Sequence, residues 1–305
     1  MAQVIKETDA LNITLSDISS MPFPKRGFMV TPTYFSVDYV INPHMEGNVG
    51  NVDRLKAYQQ WEVVRDAFRS CKVEMDEIEG QKGLPDMVFA ANQSLPYELP
   101  GGKKKAIMSN MDADQRADEV PYIEQWYRQH GYEIEYLNED KITIFEGMGD
   151  AIWHKGKRLL WGGHGFRTSA EAYDHIAKLL DVPVLTLKLV SDKFYHLDTC
   201  LCILDEKTAM VYPEAFTGEG MSRIEEVFET LIKVNEEDAE KRFACNATCP
   251  DGKNVIIQQG SEETNAQLRD AGFNVLEVDT SEFLKSGGSV YCMKMLLWQN
   301  LSDTQ

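Results

Sequence analysis

The chain opens MAQVIKETDALNITL and lacks the basic stretch and apolar run of a secretory leader. No apolar run approaches the roughly 18 residues that a membrane span needs. The expectation is a cytoplasmic protein with no membrane partner. Positive charge is scarce: 31 Lys and Arg stand against 49 Asp and Glu, a formal net charge of −18. Such a surface repels polyanions, so no nucleic-acid partner is expected. Metal-site spacing is missing as well. The cysteines (Cys71, Cys200, Cys202, Cys245, Cys249 and Cys292) form no CxxC pair, no histidines fall at finger spacing, and no DxDxDG loop is present. Without a leader, the cysteines read as free thiols rather than disulfides.

What is present is core-forming sequence. The 305 residues are 43% hydrophobic, enough for one large domain or two small ones, and no linker stands out. Strand candidates are GFMVTPTYF, KKAIMSN, KITIFEG, KRLLWGG, CLCILD, TAMVYP, NVIIQQ and SVYCMKM. Helix candidates are VDRLKAYQQWEVVRDAFRS, ADEVPYIEQWYRQHG, SAEAYDHIAKLLD, MSRIEEVFETLIKV and SEETNAQLRDAG. The first helix is expected from Val52, with Leu55, Tyr58, Trp61, Val64 and Phe68 on its apolar face. LPGGKKKAI reads as a solvated hairpin or loop, and the tail LSDTQ as frayed.

Strands and helices alternate, often with more than one strand between helices, which disfavours simple βαβ winding. Polar turns recur at VFAANQS, IFEGMGD, FYHLDT, FACNAT and LKSGGS. Asn92, Glu146 and His196 lie 54 and 50 residues apart, and Cys292 follows after 96, about two further intervals. Several similar units around an axis, each offering one turn to a shared centre, would give this rhythm.

Three segments can carry chemistry. Cys292 in SGGSVYCMKM offers a nucleophile, although a strand cysteine also serves as a small core residue. His196 and Asp198 in FYHLDTC would share one face of an extended strand and join a proton carrier to a carboxylate. Alternatively, they are a satisfied histidine and a turn aspartate. Glu146 and Asp150 in FEGMGD bracket two glycines that allow close backbone approach; an ordinary turn is the plain alternative. Together these groups point to Cys/His chemistry on a cation, and a guanidinium fits paired carboxylates well.

In order and spacing, FEGMGD, FYHLDTC with MVYPEAF, and SGGSVYCMKM resemble the guanidino-group-modifying enzymes. These comprise arginine deiminases, dimethylarginine dimethylaminohydrolases, amidinotransferases and arginine dihydrolases. WGGHGFRT and FYHLDTCLCIL are most similar to the dihydrolase branch, and the resemblance runs from Phe28 to Met295. It implies an α/β fold: a five-bladed α/β propeller of the pentein type, with pseudo-fivefold ββαβ units, forming a single catalytic domain over residues 1–305. It also implies Cys292 as nucleophile, His196 as general acid/base and Glu146 as the carboxylate orienting it. Asp198 would grip the guanidinium, with Asp150 as a further contact.

Where deiminases carry Phe-Thr-Arg-Asp, this chain reads Phe89-Ala90-Ala91-Asn92. An amide at Asn92 can both donate and accept, so it suits an uncharged ureido group and a second hydrolysis. Arg116 and Arg167 are the candidates for the substrate carboxylate, with an Arg116–Glu119 pair at i, i+3 as the alternative for the former. Asn42 is placed near the site. The implied activity is arginine dihydrolysis through a covalent thiouronium, to ornithine, CO2 and ammonia. Arginine deimination or dimethylarginine hydrolysis to citrulline, amidino transfer, and a non-catalytic binder are the competing readings. The partner is a small guanidino molecule; no metal or organic cofactor is expected, and self-association is left open. A low-pKa Cys292, labelling faster than the other cysteines, is expected of the enzyme readings.

Overall fold

In a computed structural model, residues 2–99, 101–137 and 143–298 are described, and their strands fall into five separate sheets. One local order recurs. Lys103–Met108 has Ser94–Leu99 antiparallel on one side and Glu133–Glu135 parallel on the other. Leu160–His164 sits likewise between Ala151–Trp153 and Pro183–Lys188, whose outer edge takes the N-terminal strand Gln3–Lys6. Thr208–Val211 lies between Leu201–Ile203 and Thr230–Lys233. Asn254–Gln258 pairs in parallel with Asn274–Val278, and a single antiparallel bridge, Thr248 to Ile256, replaces the other neighbour. In the last sheet Arg26–Val30 lies between Met295–Leu297, from the far end of the chain, and Glu74–Ile78.

Each parallel partner is reached through a helix: Arg54–Ser70, Val120–Gln129, Ala172–Leu180, Gly218–Val227 and Glu262–Asp270. A parallel pair cannot be closed by a tight turn, so the crossover element is obligatory. The result is a mixed α/β fold.

The first helix begins two residues later than expected, because the Asp53 carboxylate accepts from Lys56 N at 3.0 Å and caps it. Trp61, Val64 and Phe68 are buried as expected, but Leu55 and Tyr58 are exposed (72% and 38%) and Ala57 and Gln60 take inner positions. MSRIEEVFETLIKV divides: its helix ends at Val227 and Thr230–Lys233 becomes a strand, where parallel pairing to Thr208–Val211 overrides helical spacing. LPGGKKKAI does form a hairpin, with Gly101 and Gly102 at positive φ. The tail LSDTQ and the start of KITIFEG lie outside the described residues.

Two motif segments are not strands. His196 caps a 3-10 turn, Leu197–Thr199, rather than sitting in an extended run. Cys292 lies in a turn, and the strand starts only at Met295. The core forms two clusters, one around Phe28, Trp61, Phe68 and Tyr127, the other around Trp161, Leu201, Met210 and Ile257. Among the described residues no helix is long and apolar enough to cross a membrane.

Candidate active site

The turn before the antiparallel edge strand, or bridge, of each sheet carries a polar side chain. Asn92 precedes Ser94, Glu146 to Asp150 precede Ala151, His196 to Asp198 precede Leu201, Asn246 precedes the Thr248 bridge, and Cys292 precedes Met295. Hydrogen bonds join these turns one to the next. Met148 N donates to Ala91 O (2.8 Å), and Leu197 N to the Asp150 carboxylate (3.0 Å). Asn246 Nδ2 donates to Asp198 O (2.9 Å), Tyr291 N to Asn246 O (2.9 Å), and Ala91 N to Cys292 O (3.1 Å). The fifth bond returns to the first turn, so the five turns form a closed ring. Approach is close enough to require glycine: a Cβ on Gly149 would sit 2.4 Å from Asn92 Nδ2 and 3.2 Å from His196 Cγ.

Glu146 and His196 are both buried, with Oε2 2.7 Å from Nε2. Burial would raise the Glu146 carboxyl, but the His196 hydrogen bond and charge, with Arg167 and Arg116, hold it at about 2. Its other oxygen accepts from Asp112 N at 3.0 Å and from Arg167 Nη1 at 3.3 Å. Burial pushes His196 down, yet the charges of Asp150, Glu146 and Asp198 outweigh it and raise the imidazole above its ordinary value. Arg116 Nη1 donates to Asn92 Oδ1 (2.9 Å), which turns the Asn92 Nδ2–H2 towards His196 Nδ1, 3.5 Å away. With Nε2–H donated to Glu146, Nδ1 is the nitrogen left to take up a proton.

The Cys292 thiol, 4% exposed, donates to Asp198 Oδ2 at 3.1 Å. Asn246 Nδ2 donates to Sγ at 3.2 Å, while Asn246 Oδ1 accepts from Cys292 N (3.3 Å) and Ser289 N (2.9 Å). The expected low-pKa thiolate is not what this geometry gives. Burial and the Asp198 carboxylate push the thiol well above its ordinary value.

The remaining sequence candidates divide. Arg116, fully buried, has its ion pair with Glu119 (2.8 Å) and also donates to the Asp86 and Phe89 carbonyls. It lines the same pocket as Cys292 and His196, so the pairing alternative and a pocket position coexist. Arg167 backs Glu146, donates to Ile41 O at 2.5 Å and lies over the Tyr195 ring. Asn42 donates to Ser286 O (3.1 Å) across the pocket mouth. Asp150 does not line the pocket; it holds the His196 turn, and burial raises its carboxyl to about 7.

Sequence reading passed over three groups here. Asn246 read as a turn residue, although it falls 50 residues after His196 and 46 before Cys292, on the interval already noted. Asp86, 1% exposed, lines the pocket and accepts from Tyr39 (2.8 Å) and Ser286 (2.7 Å). The Tyr195 hydroxyl donates to Gly287 O at 2.7 Å. Neither of the latter two has a local pattern that marks it. Among the described residues no group of His, Cys, Asp or Glu is arranged to hold a metal ion.

A family profile described as "N,N dimethylarginine dimethylhydrolase, eukaryotic" matches residues 38–298. The bifunctional arginine dihydrolase/ornithine cyclodeaminase ArgZ of Synechocystis is 37% identical over 272 residues, 88% of this chain but 37% of that protein. The chain thus spans well under half of that relative. The N(G),N(G)-dimethylarginine dimethylaminohydrolase of Mycobacterium tuberculosis is 37% identical across 89% of this chain and 85% of its own length. Among solved structures, the substrate-bound N-terminal domain of cyanobacterial ArgZ superposes with a TM-score of 0.83 at 36% identity, covering 90% of this chain and 98% of that one. With the profile covering most of its length, the chain belongs to the dimethylarginine dimethylhydrolase family of hydrolases acting on carbon–nitrogen bonds.

Proposed function

We propose that this chain hydrolyses the guanidinium group of arginine, through covalent attack by Cys292, and carries the reaction twice to give ornithine. One observation carries the reading: Cys292–Asp198 and His196–Glu146 are adjacent hydrogen-bonded pairs on one ring of turns. A guanidinium entering the pocket pairs with Asp198 and displaces the thiol proton, which passes to His196 Nδ1. The thiolate then bonds to the guanidinium carbon. His196 returns the proton to the departing nitrogen, ammonia leaves, and an S-alkylthiouronium remains. Water, deprotonated by His196, attacks the same carbon, the C–S bond breaks, and citrulline forms. In the second round Cys292 attacks the ureido carbon and a second ammonia departs. Hydrolysis of that adduct leaves a carbamate, which loses CO2 to give ornithine.

Asn92 supports the second round. Its amide donates where a carboxylate could only accept, so it suits a neutral ureido group, and Arg116 fixes its orientation. The relatives that hydrolyse arginine point the same way. A second reading, hydrolysis of dimethylarginine to citrulline, is favoured by the family profile and by the mycobacterial relative. Incubation with arginine and with dimethylarginine, products resolved by mass spectrometry, separates the two. Ornithine from arginine is expected. Citrulline alone removes the second round, and dimethylamine release from N,N-dimethylarginine with no turnover of arginine selects the other reading.

The space among the pocket side chains, ≈ 20 Å³, suits little more than one water. Entry therefore needs the segment Ile41–Met45 to move, which breaks the Arg167–Ile41 and Asn42–Ser286 bonds. We read the five sheets and their ring of turns as the blades of a single α/β propeller domain spanning the chain. Six unbridged, buried thiols suit a reducing, cytoplasmic setting.

A further inference from the structure

Two residues beyond Cys292, Lys294 turns into a second, separate cavity. Its side chain is 1% exposed, and its Nζ lies 3.0 Å from the centre of the Tyr291 ring. No acceptor among the described residues reaches that nitrogen. Thr248 Oγ1 and Trp153 Nε1, both buried, line the same cavity, and neither has a hydrogen-bond partner among the described residues. Lys155, 8% exposed, also lines it, and among the described residues no carboxylate lies within ion-pair distance of either lysine. The rest of the wall is apolar or thiol, including Met148, Cys202 and Trp298. Three buried donors without an acceptor among the described residues, together with Lys155, thus line one cavity. Buried charge is ordinarily paired, and buried donors are ordinarily satisfied.

We propose that this cavity is a binding site for a small monovalent inorganic anion of the halide class, held by Lys294, Lys155, Thr248 and Trp153. The cavity, ≈ 10 Å³, is about the room of one water, so a halide enters only with small shifts of the lining side chains, and sulfate, phosphate and any carboxylate-bearing metabolite are excluded. Burial and the neighbouring Lys155 push the Lys294 ammonium well below its ordinary value, and an anion between the two lysines offsets both effects. The site does not depend on reading Cys292 as a nucleophile.

Bromide is the probe. Crystals of the full chain soaked in sodium bromide should show an anomalous peak between Lys294 Nζ, Lys155 Nζ and Thr248 Oγ1. In solution, exchanging sodium gluconate for sodium chloride or bromide at equal ionic strength should raise the melting temperature by about 2 °C. Lys155→Met and Thr248→Val should abolish that difference. Bromide found only on the surface, with water in the cavity, overturns the proposal. So does a halide shift that both variants retain. If neither variant folds, the anomalous map decides alone.

Discussion

Cys292 lies between two electrostatic environments. On one side, Asp86 lines the pocket with Arg116, Arg167 and His196, and the buried carboxylates Glu146 and Asp198 are hydrogen-bonded to His196 and Cys292. Behind it, Lys155 and Lys294 share a cavity with no carboxylate partner. In the first environment burial and Asp198 raise the thiol; in the second, burial lowers both lysine ammoniums. Under the proposed function, a nucleophile at such a boundary need not be permanently activated; its reactivity can be conferred by the charge of the substrate.

Substitutions can break or sharpen this contrast. Cys292→Ser should lower turnover of arginine by at least about 10⁴-fold while leaving the melting curve intact, because a hydroxyl is a far poorer nucleophile. Retained activity would remove Cys292 from the chemistry. Arg116→Met should cost about 3–5 kcal/mol in urea unfolding, since Glu119 is left buried without its cation. A loss below about 1 kcal/mol would mean that Glu119 takes up a proton cheaply, and the pocket side would be less charged than described.

The Glu146 carboxyl is held at about 2, against an unfolded value of 4.5. Its contribution to stability is therefore complete above pH 4.5 and is lost as pH falls towards 2. Glu146→Gln should flatten thermal stability across that window relative to the parent chain. An unchanged slope would show that Glu146 is not held ionised. Asn246→Ala removes the donor to Sγ and the acceptor for Cys292 N. It should lower kcat by about 10–100-fold with KM little changed, the signature of a positioning residue. Asp198→Asn removes the charge that raises the thiol, so iodoacetamide should label Cys292 roughly tenfold faster at pH 8. Slower labelling would mean that Asp198 stabilises the thiolate.

Legibility in the sequence followed interaction range. The turn rhythm was visible because each sheet repeats one local order, and the repeat leaves Asn92, Glu146, His196 and Cys292 near 50-residue steps. The reactive motifs were visible because glycines bracket them for close approach. The 3-10 turn at His196 and the late strand start at Met295 were not, because both are fixed by neighbouring turns rather than by local spacing. Asp86 and Lys294 carried no signal. Their meaning depends on burial by segments distant in the chain, as with Ser286 donating to Asp86. Nor could the protonated state of Cys292 be read, because it depends on Asp198, brought to 3.1 Å only by the fold.

Met295–Leu297 pairs with Arg26–Val30, joining strands from opposite ends of the chain. Met295 and Phe28 are 295 − 28 = 267 residues apart, so closing this contact carries a large loop-closure cost. Docking the Met295–Leu297 segment places Cys292 and completes the sheet of Arg26–Val30 in one event. A chain that ended before Met295 would lack this seam. The hydrogen bonds of Cys292 to Asp198 and Asn246 therefore depend on a seam between distant segments as well as on the local turn.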